Sequence, residues 1–537
     1  MTTWQCDGIP KDGKTYPQAT AGGHEPCENT TPDCPICGLP REAMDPVTTT
    51  VKTTVVVSPG GTTRVGQKSN WLLPFALIIT ALTAGLGGWS LLQMVIPKPD
   101  TSPVVQEETP DRQPKATFVS NTAKNPDLFS QGEKILLNST PNKEKGAAAF
   151  KKEDWANAIA AYQLAATPQA NDPEGKIYYN NAKARQKGNQ KTIAVVVPIA
   201  NDPNSAKEIL RGVARYQEEF NNSNPGNPLE IVIANDGGGL QSKAIADDLI
   251  QSGQVLAVMG HGIDPFSQKA IESYEKEGLA ILSPLTTRVS QTGKSTLKTI
   301  PLDDKSQEVF GSYLEAVAKT LANYASQQEN SPSVVLFYNS DSPYSQKLRD
   351  SFAKAIKQPG GKIVKEIDTT KANFNAKTAI DQAKQAGAKV VFLALSKDGD
   401  RIDQAVAIAQ ESSGMLLLGG NELYTPDILI QGADSIDGLV LAVPWSFQAT
   451  DPFAKDALKS WRGRVSWRTA TAYDTMKVLG EAIAKSSDRA TVVETLNRGI
   501  TLQGNTTDFN IFNQVPLVRA NRGNEGPKGS QYQFDPI

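Results

Sequence analysis

Histidine and cysteine are scarce in this chain of 537 residues, which contains two His and four Cys. So few ligand side chains exclude His-rich metal chemistry and any large disulfide framework. An excess of charge is also missing, because 55 Lys and Arg face 57 Asp and Glu. Without a basic block, the composition argues against a nucleic-acid-binding protein. Hydrophobic residues still make up 39% of the chain, which is enough for a buried core and excludes wholesale disorder.

All four cysteines lie within the first 40 residues, at Cys6, Cys27, Cys34 and Cys37. The run Cys34-Pro35-Ile36-Cys37 has zinc-knuckle spacing, and Cys6 and Cys27 would complete a closed, structural tetrahedral site. The alternative is that this segment is a flexible tail whose cysteines are reduced or redox-active and bind no metal. We predict one structural zinc in a head domain formed by residues 1–43.

Residues 71–96 contain no charged residue and read WLLPFALIITALTAGLGGWSLLQMVI. As a helix this run would span roughly 39 Å, more than the ~30 Å hydrocarbon core of a bilayer. Polar linkers flank it at 44–70 and 97–126, and the long polar segment before it argues against a cleaved signal peptide. The sequence therefore predicts one transmembrane helix.

The orientation of this helix is predicted from the cysteines, because the counts of flanking Lys and Arg are equal on the two sides. Thiolates persist in a reducing cytosol, and no cysteine follows the helix. We expect a single-pass membrane protein with a cytoplasmic N-terminus and a periplasmic or extracellular C-terminal part.

Residues 127–188 are predicted to be helical. Small and aromatic residues repeat there at helical spacing, and Pro168 and Pro173 interrupt the pattern. The pattern resembles a tetratricopeptide unit, although a plain helical hairpin explains it nearly as well. Since one repeat cannot bury its own face, we expect this region to pack against the next domain.

From Lys191 onward, strands alternate with helices, which predicts an α/β fold. Continuous apolar runs, typical of strands covered on both faces, occur at 193–198, 229–234, 255–259, 279–282, 334–338 and 390–395. Alternation with helices of about 10–15 residues predicts doubly wound parallel sheets. Two successive sets of these cycles predict two lobes, with a ligand cleft beyond the carboxyl ends of the strands.

Several motifs in this part occur together in a familiar order. They are residues 234–287 (ANDGGGLQSKAIADDLIQSGQVLAVMGHGIDPFSQKAIESYEKEGLAILSPLTT), the segment around Tyr344 (NSDSPYSQKLRDSF), the turn Gly419-Gly420-Asn421, and residues 470–483 (ATAYDTMKVLGEAI). Over 191–537 the chain resembles type I periplasmic solute-binding proteins, in particular the branched-chain amino acid and amide receptors of ATP-binding-cassette importers. The resemblance implies three crossovers between the lobes, near Asp303, Val443 and Leu502. Lobe 1 would comprise about 191–303 and 443–502, and lobe 2 about 304–442 and 503–537.

The resemblance also implies a ligand site that holds an amino acid by its two charges. The candidate ligand-binding residues are Asp264, Ser267, Thr286, Thr287, Tyr344, Ser396, Asn421 and Glu422. Asp264 stands where the family usually has a carboxylate-binding hydroxyl, and two like charges in a half-buried cleft repel each other. Asn421 stands where the receptors often have an acidic ammonium partner, with Glu422 beside it. These two departures leave the ligand class open.

Other features have simpler interpretations. Thr292-Gly293-Lys294-Ser295 lacks the first glycine of a phosphate-binding loop, because Arg288 stands in its place. A short basic stretch, Arg462, Arg464 and Arg468, is typical of a solvated face, as is Lys397, whereas Trp445 and Trp467 are expected in the core. His261 lies near no nucleophile motif, so we do not predict an enzyme.

Three functions are considered for a chain with this sequence. The first is a membrane-anchored solute receptor that delivers a small polar ligand to an importer permease without covalent chemistry. The second is a ligand-sensing or scaffold receptor that uses the same fold without transport. The third is an enzyme, for which the sequence offers no nucleophile-base set and no cofactor loop.

Overall fold

The computed structural model describes residues 4–6, 11, 27–29, 34, 39, 41–44, 118, 123–167, 171–261, 265–284, 289–293, 296–299, 306–397, 399–486, 488–503 and 515–537. The chain divides into two compact units, residues 1–108 and 109–537. The predicted membrane helix at 71–96 lies outside the described residues. None of the helices within the described ranges combines the length and hydropathy that a bilayer crossing requires.

The N-terminal unit contains a short antiparallel ribbon. Strands β1 (Trp4–Cys6) and β2 (Cys27–Asn29) pair so that Cys6 lies opposite Cys27. Cys6 and Cys34 are buried in one cluster with Leu39 and Ala43, beside a 3₁₀ turn at Arg41–Met44. The side chain of Cys27 and the whole of Cys37 lie outside the described residues, so the zinc site stays a prediction.

Three helices precede the α/β part: α1 (Pro141–Lys151), α2 (Trp155–Ala165) and α3 (Pro173–Lys187). Each begins after a capping side chain, because Thr140, Asp154 and Asp172 each accept a hydrogen bond from the backbone N–H three residues on. Gly146 lets α1 approach α2, since a Cβ there would lie 2.7 Å from the Tyr162 ring. The tetratricopeptide interpretation of these helices stays a prediction.

This helical region is built into the first lobe. Strand β3 (Phe129–Ser130) pairs antiparallel with β5 (Leu229–Asn235) of the lobe's sheet. From α3, Asn181 donates through Nδ2 to the carbonyl of Ile231 (2.7 Å) and accepts from its N–H (2.9 Å). Arg185 forms a buried ion pair with Glu230 of β5. The helices therefore share buried polar contacts with lobe 1.

Lobe 1 contains a five-stranded sheet in the order β3-β5-β4-β6-β7. Strands β4 to β7 are parallel, and only β3 runs antiparallel to its neighbour. The new strands are β4 (Lys191–Val197), β6 (Val255–Gly260) and β7 (Ala280–Leu282). Its first helices are α4 (Pro203–Ser223), α5 (Ser242–Gln251) and α6 (Pro265–Lys276). The alternation predicted for this part of the chain is thus present.

Lobe 2 contains a seven-stranded sheet in the order β11-β10-β12-β13-β14-β16-β17. Five strands are parallel, namely β10 (Ser333–Tyr338), β11 (Lys362–Asp368), β12 (Val390–Ala394), β13 (Leu416–Gly419) and β14 (Val440–Ala442). Its helices are α7 (Ser306–Gln328), α8 (Pro343–Ala355), α9 (Ala376–Gln385), α10 (Arg401–Glu411) and α11 (Pro426–Gly432).

The predicted all-parallel sheet is wrong for the C-terminal edge of lobe 2. Strands β16 (Leu517–Arg522) and β17 (Tyr532–Pro536) form a hairpin that joins β14 antiparallel. A hairpin needs only a short turn, whereas a parallel connection needs a crossover of a dozen or more residues. The sheet of lobe 2 is therefore mixed.

Between the two passages through lobe 2, the chain returns to lobe 1. Helices α12 (Pro452–Trp461), α13 (Trp467–Ala484) and α14 (Arg489–Arg498) follow β14, and α13 packs along α4. A third, antiparallel sheet pairs β9 (Thr296–Thr299) with both β8 (Val289–Gly293) and β15 (Thr501–Gln503). The predicted crossover residue Asp303 lies outside the described residues.

Candidate functional site

A cavity of about 1080 Å³ lies between the two lobes. Its wall is formed where strands end, as the α/β topology requires. Lobe 1 contributes residues that follow β4, β5 and β6, namely Asp202, Asp236 and His261, while lobe 2 contributes Asp341, Tyr344, Ser396, Lys397 and Glu422. The linker before α13 and the start of that helix add Arg464 and Arg468. Acidic and basic side chains therefore line the same space.

Asp202 and Lys397 join the lobes directly. Asp202 caps α4 by accepting from the N–H of Ser205 (2.9 Å), and its other carboxylate oxygen pairs with Nζ of Lys397. Burial alone would raise the pKa of Asp202, but Lys397 and the cap lower it below its ordinary value. The interpretation of Lys397 as a solvated residue is wrong, because its side chain is only 20% exposed and is paired across the cleft.

Tyr344 lies at the start of α8, whose first turn is capped by Ser342. Its phenol donates to Oδ1 of Asn421 (3.2 Å) and accepts from the N–H of Glu422 (3.4 Å). Burial raises the pKa of Tyr344 far above its ordinary value, so the group stays a neutral donor and acceptor. The structure thus brings together three of the predicted site residues.

Ser396 is held by Asn339, which follows β10. The amide of Asn339 donates to Oγ of Ser396 (3.2 Å) and accepts from its N–H (3.0 Å). This pairing fixes the ends of β10 and β12 against each other. Ser396 therefore presents a positioned hydroxyl at the cavity wall.

Two arginines enter the space between the lobes, which corrects the interpretation of their segment as a solvated face. Arg464 donates to Glu525 (2.7 Å) and to the carbonyl of Phe534 (2.9 Å) in lobe 2. Arg468 is 3% exposed and donates through Nη1 to the carbonyl of Tyr424 (2.8 Å). Only Arg462 of the three is exposed. The segment runs inward because α13 begins there and is buried along most of its length.

His261 and Ser267 belong to the buried support of lobe 1. Nδ1 of His261 lies 3.2 Å from Oγ of Ser242, and Nε2 lies 3.1 Å from the hydroxyl of Tyr274. Ser267 is fully buried, with its Oγ 3.5 Å from the same Ser242 oxygen. Both ring nitrogens of His261 thus have structural partners, and Ser267 is not among the described residues that line the cavity.

The remaining predicted site residues cannot be placed. Asp264, Thr286 and Thr287 lie outside the described residues. Across the described ranges, no group of three or more His, Cys, Asp or Glu side chains is arranged to hold a metal ion. Trp445 and Trp467 are both buried, as predicted.

Comparison with known proteins agrees with this geometry. A family model described as a periplasmic binding protein matches residues 192–514, more than half of the chain. The chain belongs to the periplasmic binding protein family. A leucine-, isoleucine-, valine-, threonine- and alanine-binding protein of Pseudomonas aeruginosa is 23% identical over 278 residues, 49% of this chain and 69% of that protein. An amino acid binding protein of the same organism is 24% identical over 192 residues, and the match covers 35% of this chain and 48% of that protein.

Solved structures of the family share the fold. An ABC transporter substrate-binding protein from Sphaerobacter thermophilus aligns with a TM-score of 0.51 and 15% identity, over 65% of this chain and 98% of that one. A branched-chain amino acid transporter substrate-binding protein from Streptococcus pneumoniae, in complex with isoleucine, aligns with a TM-score of 0.50 and 16% identity. The alignment covers 64% of this chain and 100% of that one. At these identities the likeness establishes the two-lobed fold of the family.

Sequence reasoning missed several residues of the cavity wall, among them Asp202, Arg464 and Arg468. Asp202 had a readable signal, since an Asp-Pro pair directly after a predicted strand is typical of a helix start. The sequence signal for the two arginines was weaker: they flank Ser466, which is the capping residue of a largely apolar helix. Their burial depends on contacts with lobe 2 that are distant in sequence.

Proposed function

We propose that this chain is a solute-binding protein that captures a small amino acid or amide between its lobes and delivers it to an ATP-binding-cassette importer. The observation that carries the proposal is the cavity between the lobes, whose wall contains both acidic and basic side chains from the two sides. Such a wall complements a zwitterion, which carries both charges itself. The named ligands of the two Pseudomonas aeruginosa relatives support the same class.

The test is ligand binding by the full-length chain in detergent. Thermal unfolding is followed with each of the twenty L-amino acids, beginning with isoleucine, and with amides, sugars and nucleosides as comparison classes. A ligand at 100 times its dissociation constant stabilises the folded chain by about 2.7 kcal/mol. We expect at least one amino acid or amide to raise the melting temperature. If only sugars or nucleosides do so, the proposed ligand class is wrong.

We also propose that residues 71–96 anchor the binding domain to the membrane and leave the N-terminus in the cytoplasm. The uncharged run and the restriction of cysteine to the segment before it support this arrangement. Labelling of intact cells with a membrane-impermeant maleimide should leave the four cysteines unmodified until the membrane is permeabilised in the presence of a zinc chelator. Labelling without permeabilisation would contradict the orientation.

The four cysteines are proposed to hold one structural zinc. The pairing of β1 with β2 places Cys6 opposite Cys27, and Cys34 shares the buried cluster of Cys6, so three of the four lie on adjoining elements. Metal analysis of the purified chain should find about one zinc per molecule, and Cys34→Ser should lower this content. A metal-free wild-type chain purified without chelator would contradict the site.

A further inference from the structure

Arg468 is a buried cation whose side chain lines the cavity. Its Nη1 donates a hydrogen bond to the carbonyl of Tyr424 (2.8 Å). In the part of the chain that the structure describes, Nη2 has no hydrogen-bond partner and no carboxylate lies within ion-pair distance of the guanidinium. A buried charge is costly unless it is paired, so this arrangement indicates a missing anion.

The position of Arg468 in its helix increases this cost. It is the second residue of α13, and the N-terminus of a helix carries a partial positive charge that disfavours cations. A cation–π contact with Trp467 offsets part of this cost, because the guanidinium lies 4.5 Å from the centre of the indole ring. A cation at the positive end of a helix is locally unfavourable, and such unfavourable placements are expected at functional sites.

An acidic group that lies at this helix end is already occupied. Glu208 of α4 accepts from the N–H of Ser466 (3.0 Å) and from the hydroxyl of Thr469 (2.8 Å), and it pairs with Arg211. Because these contacts satisfy its carboxylate, Glu208 is not available to neutralise Arg468. The anion must therefore come from the cavity side.

We propose that the guanidinium of Arg468, whose side chain lines the cavity, binds the carboxylate of the ligand. This assignment rests on the proposed function and makes it specific: the ligand carries a free carboxylate, so simple amides are excluded as preferred ligands. Tyr344 lines the same cavity, and its hydroxyl accepts a hydrogen bond from the N–H of Glu422 (3.4 Å). A basic and an acidic side chain, Arg468 and Glu422, thus border the same cavity, which suits a zwitterionic ligand.

The experiment measures binding of three probes to the full-length chain by calorimetry. The probes are L-isoleucine, its amide, which lacks the carboxylate, and 3-methylpentanoate, which lacks the amine. For the wild type we expect the amide to bind roughly 10- to 100-fold more weakly than isoleucine, the range for a lost hydrogen bond to a charged group. Arg468→Gln should weaken isoleucine and 3-methylpentanoate by the same factor and leave the amide nearly unchanged.

Two further variants separate a binding role from a structural one. Arg468→Lys keeps the charge and should recover part of the affinity for isoleucine. Arg498→Gln removes an exposed arginine of α14 and should change no affinity. If Arg468→Gln does not fold, the affinities of the three probes for the wild type and for Arg468→Lys still show whether Arg468 binds the carboxylate.

The outcomes distinguish the two proposals. If isoleucine binds and neither Arg468→Gln nor loss of the carboxylate weakens it, the role of Arg468 is wrong and the proposed function stands. If only 3-methylpentanoate binds, with dependence on Arg468, the anion site stands and the amino acid function is wrong. If the wild type binds the amide as tightly as isoleucine, the role of Arg468 is wrong and the proposed function stands. If it binds none of the three probes and no amino acid or amide raises its melting temperature, both are overturned.

Discussion

Nζ of Lys397 forms an ion pair with the carboxylate of Asp202 across the cavity. Lys397 follows β12 in lobe 2 and Asp202 precedes α4 in lobe 1, so the contact joins the two lobes at the cavity wall. Both side chains are about one-fifth exposed. An ion pair in such a position is worth about 0–1 kcal/mol, so we expect it to bias lobe closure without fixing it.

Replacing Lys397 by Gln should therefore shift the lobes toward an open arrangement. We expect the radius of gyration from solution scattering to rise and isoleucine affinity to fall a few-fold, since a smaller fraction of molecules is closed. The matched control is Lys389→Gln, which removes an ion pair with Glu329 inside lobe 2 and should leave both quantities unchanged. Equal effects of the two variants would contradict a role in closure.

The same contact extends this first prediction to acid conditions. The pKa of Asp202 is below its ordinary value of 3.8, so the carboxylate contributes fully above that value. The contribution is lost as pH falls through the lowered pKa, where the carboxyl group becomes protonated. Scattering should therefore show no opening between pH 8 and pH 5. Opening within that window in the wild type, absent from Asp202→Asn, would contradict the assignment.

Gly420 makes room for Tyr344, and this gives a second prediction. A Cβ at Gly420 would overlap the Tyr344 hydroxyl and approach Leu348 to 2.7 Å. Gly420→Ala should therefore displace the phenol from Asn421 and reduce ligand affinity. Adding Tyr344→Phe should relieve the overlap with the hydroxyl, so the double variant should bind better than Gly420→Ala alone. A double variant that binds worse would show that Tyr344 contacts the ligand chiefly through its hydroxyl.

The strands of both lobes could be predicted from the sequence because each is a buried apolar run. The run predicted at 229–234 became β5 (Leu229–Asn235), and 334–338 became β10 (Ser333–Tyr338). Local composition determines such elements. The antiparallel hairpin β16–β17 was not predicted, because its strands are half-buried and lack the continuous apolar runs that identified the other strands.

The cavity wall was harder to predict, because its key residues are defined by contacts distant in sequence. Tyr344 and Glu422 were found through a family motif. Arg468 was read as a solvated residue, since a charged side chain is usually exposed. Its burial depends on the carbonyl of Tyr424, 44 residues away in the chain and in the other lobe. No local pattern carries that information.

The buried pair of Arg185 and Glu230 gives a third prediction, about the helical region. Removing one partner leaves the other charge buried and unpaired, which costs about 3–5 kcal/mol. We expect Arg185→Met to lower the free energy of unfolding by that amount in urea titrations. The double variant Arg185→Met/Glu230→Leu should recover most of the loss. A double variant as unstable as the single one would show that the pair is not what fastens α3 to lobe 1.

The contact of α4 with α13 gives the last prediction. A Cβ at Gly212 would overlap the carbonyl oxygen of Thr469 and lie 2.7 Å from the N–H nitrogen of Tyr473. Both atoms belong to the backbone of α13 and cannot rotate away, so Gly212→Ala must push the helices apart, at a cost of about 1–3 kcal/mol. Because α13 carries Arg468, the same variant should also weaken isoleucine binding.

Gly226→Ala is the matched control, since a Cβ there meets no atom within 4 Å. It should leave the melting temperature and the affinity unchanged or raise stability slightly, because alanine restricts the unfolded chain. If Gly212→Ala is as stable as Gly226→Ala and yet binds more weakly, α13 moves without cost and the close packing described for this contact is wrong. If it is less stable but binds normally, the position of Arg468 does not depend on this helix contact.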